Sequence, residues 1–296
     1  MRPRDFLLVV TAAALWGGGG VVGTLLGDRT GMHALSIAMW RMLVAGFAIL
    51  LVLAALRRLR LRSLTPAMWR LSLVTGALTA VFESLYFLGI ALSSVGLSTL
   101  IGIGSAPVFV AVWDWLASRR TPPRLTLIAL ALALGGLAVL LSGSLDAGEN
   151  AFGGALVALG AGATFAAVTV VNREQVPGYD PVTHTGVAFA AGGLMLIPAA
   201  AFTGLGWATD AAGWGLTLAL GVVVTALAYL AYFSGLRTVP AFVATIVALL
   251  EPLVAALLAA LVFAERLGWT GLVGGAVLGA AVVLLRPQRD EPESLH

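Results

Sequence analysis

Ten long apolar stretches, separated by short polar links, follow one another along the chain of 296 residues. None of them alternates between apolar and polar positions, as the strands of a membrane barrel do, so each predicts a helix. A helix crosses the hydrocarbon core with about 20 residues, a length that most of the stretches reach. The pattern predicts an all-α integral membrane protein with ten transmembrane helices, at roughly residues 6–26, 34–56, 67–91, 95–116, 125–142, 152–172, 182–203, 213–236, 241–263 and 269–285.

The composition supports a polytopic membrane protein whose surroundings are a lipid bilayer. Hydrophobic residues make up 60% of the chain and charged residues 10%, against about 25% charged residues in soluble domains. This balance excludes a soluble enzyme and a nucleic-acid binder, so we expect no nucleic-acid partner. The sequence has no cysteine and no phosphate-binding loop or metal-ligand motif, so we expect neither a cofactor nor a bound metal.

Arginine supplies all 17 basic residues, and its distribution predicts the orientation. Loops on the cytoplasmic side of a membrane are enriched in basic residues. With both termini in the cytoplasm, only Arg29 and Arg266 lie on the opposite side and Arg41 lies within a span. The cytoplasmic segments then hold Arg2, Arg4, Arg57, Arg58, Arg60, Arg62, Arg70, Arg119, Arg120, Arg124, Arg173, Arg237, Arg286 and Arg289.

The two halves of the chain, residues 1–148 and 149–296, resemble each other weakly. The segment 91–96 parallels 235–240, and the prolines Pro107 and Pro252 occupy matching places in spans four and nine. Five spans are an odd number, so the second half must lie upside down relative to the first. Such inverted repeats are typical of secondary transporters, whose substrate binds between the repeats near the membrane midplane.

Several of these features together resemble those of a known transporter family. The ten spans, Trp16, Arg41, Glu251-Pro252 and the segment Phe263–Leu267 resemble the EamA-type transporters of the drug/metabolite transporter superfamily. The resemblance implies two inverted five-helix repeats that form a basket around a central cavity and work by alternating access. It also implies a location in the bacterial inner membrane and export of amino acids, including aromatic ones. The sequence departs from a symmetric pattern in one respect, because Ala106 precedes the first proline where Glu251 precedes the second.

Three charged residues fall well inside the spans, namely Arg41, Glu83 and Glu251. A charge at this depth costs several kcal/mol, so each needs a partner or a purpose. Glu83 fits the ammonium group of an amino acid, and Arg41 fits its carboxylate. The alternative is that Arg41 and Glu83 form a structural ion pair. Glu251 fits a substrate ligand or a proton carrier, or a group that repairs the kink at Pro252.

Proline in a span removes a hydrogen-bond donor and kinks the helix. We therefore predict hinges at Pro107 and Pro252, related by the inverted repeat. Aromatic residues near the buried charges are predicted to contact the substrate, although ordinary packing explains each of them equally well. The predicted substrate-binding residues are Trp16, Glu83, Tyr86, Phe165, Tyr229, Tyr232 and Glu251, with Arg41 as a structural or substrate-clamping residue.

Two further patterns lie outside this set. Glycines at a spacing of four form stripes in span one (Gly19, Gly23, Gly27) and span ten (Gly271, Gly275, Gly279), which would allow a second copy to pack as a homodimer. His184, at the start of span seven, is interpreted as an interfacial residue, and Asn172, at the end of span six, as a helix-end cap or rim residue.

The sequence therefore favours a secondary transporter that exports small metabolites, with amino acids as the leading substrates. It leaves open whether protons drive the export. A drug or nucleotide-sugar carrier of the same superfamily is the alternative. An intramembrane enzyme using Glu83 or Glu251 as a base is a remote alternative, because no nucleophile, histidine or metal set accompanies them inside a span. We therefore expect no enzyme activity.

Overall fold

The computed structural model describes residues 1–59, 61, 64–119, 121–144, 150–173, 176–262 and 268–287. The motif Phe263–Leu267 and the arginines 60, 62, 120, 266 and 289, which enter the sequence predictions, lie outside the described residues.

Every helical element of the described chain coincides with one of the ten apolar stretches, within four residues at each end, apart from one turn of 3₁₀ helix at Ser142–Ser144. The all-α prediction is thus confirmed for the described residues. Eight helices are long and apolar enough to cross a membrane, whereas α5 and α10, with 17 and 16 residues, are shorter. The helices are α1 Pro3–Thr30, α2 Ala34–Ala55, α3 Pro66–Leu92, α4 Val95–Ser118, α5 Arg124–Leu140, α6 Ala151–Arg173, α7 Pro181–Phe202, α8 Ala211–Gly235, α9 Ala241–Val262 and α10 Trp269–Leu284.

Polar side chains at four helix starts explain where these helices begin. Thr65, Ser94, Asp180 and Asp210 each accept a hydrogen bond from the main-chain N–H three residues later. Such capping satisfies a donor that the helix itself leaves without a partner. Proline follows two of these caps, at the first helical position, where its missing N–H costs nothing.

Two helices depart from regular α geometry near the middle of the molecule. Helix α9 is interrupted at Leu249, where Pro252 provides no N–H for the carbonyl of Ala248. Helix α8 contains a π-helical turn over Ala219–Leu227, in which the Thr225 hydroxyl donates to the Leu220 carbonyl at 2.9 Å. The sequence predicted the first irregularity but not the second. Helix α4 continues through Pro107 without an interruption, so a hinge at that proline stays a prediction.

Helices of the first half pack mainly against helices of the second half. Helix α1 contacts α8 and α9, α2 contacts α7, α3 contacts α6 and α7, α4 contacts α6, and α5 contacts α10. The two halves are therefore interlocked as one body. Large apolar side chains such as Leu51, Phe202, Leu261 and Trp269 are exposed on the outside, as the hydrocarbon of a bilayer requires.

Candidate functional site

A cavity of about 160 Å³ lies where seven helices approach one another, next to the irregular turns of α8 and α9. It draws residues from α1, α2, α3, α4, α6, α8 and α9, and thus from both halves of the chain. Its wall is a mixture of charged and aromatic side chains with two glycines of α1. The lining residues are Trp16, Gly19, Gly20, Arg41, Phe82, Glu83, Tyr86, Phe87, Ile103, Phe165, Tyr229 and Glu251.

The structure brings together most of the residues that were predicted from the sequence to bind substrate. Of the predicted set, Tyr232 does not line the cavity; it is fully buried one layer behind, where its hydroxyl lies 2.9 Å from the Thr169 hydroxyl. The two predicted hinges, Pro107 and Pro252, are also outside the cavity wall. The predicted residues at the wall are Trp16, Arg41, Glu83, Tyr86, Phe165, Tyr229 and Glu251.

Arg41 of α2 and Glu83 of α3 form an ion pair in this wall. The Glu83 side chain is 2% exposed and that of Arg41 18%, so Arg41 is the more accessible of the two partners, and both line the cavity. One guanidinium nitrogen, Nη2, binds Glu83, while Nε has no hydrogen-bond partner among the described residues. Arg41 therefore retains a free donor, although it is paired.

Glu251 introduces a second carboxylate into the cavity. It lies in the first turn of the second segment of α9, directly before Pro252, and interacts electrostatically with Arg41, Tyr86 and Tyr229. Its side chain lines the cavity beside those of Arg41, Tyr86 and Tyr229. With one guanidinium and two carboxylates among its described lining residues, the cavity has an excess of one negative charge when both carboxylates are ionised.

Trp16 occupies the centre of the aromatic wall. Its ring contacts Tyr229, Tyr232 and Phe165 with centroid distances of 4.8, 5.0 and 6.0 Å. These contacts fix the indole, yet its buried Nε1–H donates to no acceptor within the described chain. A buried donor without an acceptor costs about 1–3 kcal/mol, so this position favours a ligand that accepts a hydrogen bond.

Gly17, beside the indole, lets α1 approach the interruption of α9. A methyl group in its place would lie 2.6 Å from Val254 Cβ and 2.9 Å from the Glu251 carbonyl oxygen. Part of the run of four glycines at residues 17–20 in α1 therefore serves close packing. Gly19 and Gly20 instead contribute to the cavity wall.

The cavity adjoins a second opening toward the carboxyl end of α1. That opening shares Gly19, Gly20, Arg41 and Phe87 with the cavity and extends to Asp28. On the other side, α8 and α9 are tightly packed, with Tyr232, Phe233, Ile246 and Leu249 fully buried. The site is therefore reached from the face opposite the amino terminus.

Two polar residues beyond the cavity are more deeply buried than the sequence predicted. His184 is fully buried, 3.0 Å from the Ser72 hydroxyl, and Asn172, 2% exposed, donates to Thr75 Oγ1 at 2.9 Å. His184 is therefore not an interfacial residue, whereas Asn172, whose Nδ2 also donates to the Val168 carbonyl at 2.7 Å, remains a candidate helix-end cap. Neighbouring helices cover these helix ends, which hydropathy along a single segment cannot reveal.

Two further ion pairs join the halves of the molecule. Arg29, at the end of α1, binds Asp210 before α8, and Arg173, at the end of α6, binds Asp114 of α4. Each pair thus connects a residue of the first half to one of the second. Within the described chain, no group of three or more His, Asp or Glu residues could hold a metal.

Comparison with known sequences identifies the family. The sequence model of the EamA-like transporter family matches residues 5–142 and 152–286. The chain belongs to this family. It is thus a multi-pass membrane transporter, and the resemblance seen in the sequence is confirmed.

Relatives from several organisms agree with this assignment. The EamA-like chain is 30% identical over 293 residues to YwfM of Bacillus subtilis, an uncharacterized transporter, covering 98% of this chain and 97% of the relative. It is 28% identical to the uncharacterized inner membrane transporter YicL of Salmonella typhimurium, covering 95% of each chain. A solved crystal structure, 15% identical, has a TM-score of 0.79 and covers 96% of this chain and 97% of that one. At this identity the structural likeness concerns the fold.

Proposed function

We propose that this EamA-like transporter exports small zwitterionic metabolites, amino acids foremost, across a bacterial inner membrane. The observation that carries the proposal is that two donors without acceptors and two carboxylates belong to residues that line one small aromatic cavity. A zwitterion presents the complementary groups, namely a carboxylate that accepts hydrogen bonds and an ammonium that donates them.

The substrate carboxylate is assigned to Arg41 and Trp16. Arg41 Nε–H and Trp16 Nε1–H are buried donors without acceptors among the described residues, and both side chains line the cavity. Hydrogen bonds from such donors to a charged acceptor contribute about 1.5–3 kcal/mol each. The indole is held by its aromatic neighbours and Arg41 by Glu83, so little conformational freedom is lost on binding.

The substrate ammonium is assigned to Glu251 and Glu83. Both carboxylates line the cavity and Arg41 neutralises only one of them. The faces of Phe82 and Tyr86, which stack with centroids 5.8 Å apart, add cation–π attraction. Glu251, which is not the ion-pair partner of Arg41, is the carboxylate that either the ammonium or a proton neutralises.

Alternating access is proposed to follow from the inverted repeats. The two segments that match the family fall on either side of the boundary at residue 148, which supports the division into 1–148 and 149–296. The interruption of α9 beside Glu251 supports a hinge at Pro252. We also retain the ten-span topology with both termini in the cytoplasm. In that orientation the cavity of this structure faces outward.

The alternative of a drug or nucleotide-sugar carrier fits the cavity less well. The central cavity of about 160 Å³ is by itself below the roughly 300–1,000 Å³ typical of sites for drug-sized ligands, so such a solute would have to extend into the adjoining opening of about 440 Å³. A nucleotide diphosphate would also need several cations, and Arg41 is the only one among the described lining residues.

A homodimer through the glycine stripes has weaker support. Gly19, Gly23 and Gly27 line openings within the molecule, and Gly271 and Gly275 are buried. Among the six glycines of the two predicted stripes, only Gly279 is not buried and lines neither of the two described openings.

Flux measurements test the proposed function. Purified protein in liposomes should carry radiolabelled amino acids, and the variant Glu83→Gln should fold but transport far less. Repeating the assay with an imposed pH gradient determines whether protons drive the export. Absence of flux across a broad panel of amino acids would overturn the proposal.

A further inference from the structure

A second pocket, which shares no lining residue with the cavity, lies between the first turn of α1 and the last turn of α8. Its volume of about 610 Å³ exceeds that of the central cavity. Charged residues at the two helix ends form its rim, and Leu8, Leu230 and Ala231 form its apolar part. We call it the arginine pocket after Arg2, Arg4 and Arg237.

The three arginines of this pocket are not neutralised by an ion pair with a described residue. All three are exposed. The single carboxylate, Asp5, accepts a hydrogen bond from Thr238 Oγ1 at 2.7 Å. Three guanidinium groups against one carboxylate leave an excess of two positive charges. Because Asp5 already has a partner, the guanidinium forks remain available to an anion.

The amino terminus of α1 adds to the positive potential. Arg2, the N-cap, makes no side-chain capping bond, and Pro3 begins the helix. The next main-chain amides, those of Arg4 and Asp5, have no carbonyl partner within the helix, so the terminus presents donors and the positive end of the helix dipole. The positive potential of the helix terminus adds to that of the arginines, which lie at the ends of two separate helices.

The pocket is fixed in shape because α1 and α8 meet closely beneath it. A methyl group at Gly235 would lie 2.8 Å from the Asp5 carbonyl oxygen and 2.5 Å from Val9 Cγ2. The Thr238 hydroxyl also joins the two helix ends, since it accepts from the Arg2 main-chain N–H at 3.0 Å. Next to the pocket, Leu7 is 61% exposed on the outside of α1.

We propose that the arginine pocket binds the phosphate of an anionic phospholipid. The polar rim contains the first residues of one span and the last residues of another. The ends of membrane spans lie at the depth of the lipid headgroups. The phosphate lies between Arg2, Arg4 and Arg237, and an acyl chain continues along Leu8 and Leu230. Basic pockets between transmembrane helices are a recognised form of lipid binding. The bound lipid links α1 to α8, the helix that carries Tyr229.

Native mass spectrometry of the purified full-length protein tests this proposal. Dioleoylphosphatidylglycerol and dioleoylphosphatidylcholine are titrated separately onto the protein in detergent. The wild-type protein should bind phosphatidylglycerol in preference to phosphatidylcholine. The variant Arg2→Gln/Arg4→Gln/Arg237→Gln should bind phosphatidylglycerol about 100-fold more weakly, since each basic residue near an anionic membrane contributes a factor of about five.

A matched control removes the same charge elsewhere. Arg58, Arg70 and Arg124 are exposed, lie outside the pocket and form no ion pair within the described chain. The variant Arg58→Gln/Arg70→Gln/Arg124→Gln should keep the wild-type affinity. Equal weakening in both variants would mean that general charge attracts the lipid, and the proposal would be wrong.

Competition distinguishes a lipid from a soluble anion. Inorganic phosphate and glycerol 1-phosphate share the headgroup chemistry but have no acyl chain. They should displace phosphatidylglycerol only at far higher concentrations than a second anionic lipid does. If either displaces it as effectively as the lipid, the pocket is a site for soluble phosphates and the lipid assignment is overturned.

Discussion

Arg41 and Glu83 form an ion pair that connects α2 to α3 in the wall of the cavity. The pair holds the guanidinium in place while its Nε–H remains without an acceptor among the described residues. A structural ion pair and a substrate clamp, which the sequence presented as alternatives, are thus compatible roles. In the proposed site, the substrate carboxylate would bind the donor of Arg41 that Glu83 leaves free.

Removing the charge of Glu83 should reduce transport by at least about tenfold, because a charged hydrogen-bond partner is lost. The measurement is amino-acid flux into liposomes for Glu83→Gln. The double variant Arg41→Gln/Glu83→Gln, which removes both charges, is the control. It should recover thermal stability but not flux. Recovery of flux would show that the pair has only a structural role.

Trp16 should act through its indole N–H rather than through its ring alone. The variant Trp16→Phe keeps an aromatic ring but removes the donor. We expect KM for an amino acid to rise about 10- to 100-fold, the equivalent of one charged hydrogen bond. Transport of the corresponding amine, which has no carboxylate, should change little. Equal loss for both solutes would assign Trp16 to packing.

Pro252 should act as a hinge, whereas a proline elsewhere should not. In Pro252→Ala the new N–H can bond the carbonyl of Ala248 and make α9 continuous. Flux should fall severalfold while thermal stability is kept or increased. Pro198, inside α7, is the matched control, and Pro198→Ala should leave flux unchanged. Unchanged flux in Pro252→Ala would remove the hinge from the mechanism.

The ion pair between Arg29 and Asp210 predicts a specific response to acid. The hydrogen bond from Arg29 lowers the pKa of Asp210 below its ordinary value of 3.8. A lowered pKa means that the pair stabilises the fold above pH 3.8 and ceases to do so as the pH falls through the lower folded value. The effect is small because the side chains are 48% and 44% exposed.

Thermal unfolding of Asp210→Asn measures this effect. The Tm of the variant should lie slightly below that of the wild-type protein from pH 7 to pH 5, and the difference should disappear only below pH 3.8. The variant Asp28→Asn, which removes an exposed carboxylate nearby on α1, should show no such difference. A difference that already disappears between pH 7 and pH 5 would contradict the assignment.

The sequence predicted the helices and the charged part of the site for a physical reason. Apolar runs long enough to cross a bilayer indicate transmembrane helices. Charges such as Arg41, Glu83 and Glu251 are rare within such spans because burying a charge in the membrane is costly. The π-helical turn of α8 was missed because no proline or glycine pair marks it. Tyr229 and Tyr232 both follow this turn, and Tyr229 lines the cavity whereas Tyr232 lies behind it. His184 was misjudged because its burial depends on helices distant in sequence.

The most direct test of a zwitterion site is a comparison of three solutes that share one side chain. These are an amino acid, the amine that lacks its carboxylate and the acid that lacks its amino group. Each is presented to the purified wild-type protein in liposomes, with uptake of the labelled solute as the measurement. The proposed site predicts rapid flux of the amino acid and at least about tenfold slower flux of both analogues. Equal flux of the amine or the acid would contradict the assignment of Arg41, Trp16, Glu83 and Glu251 to the two ends of one substrate.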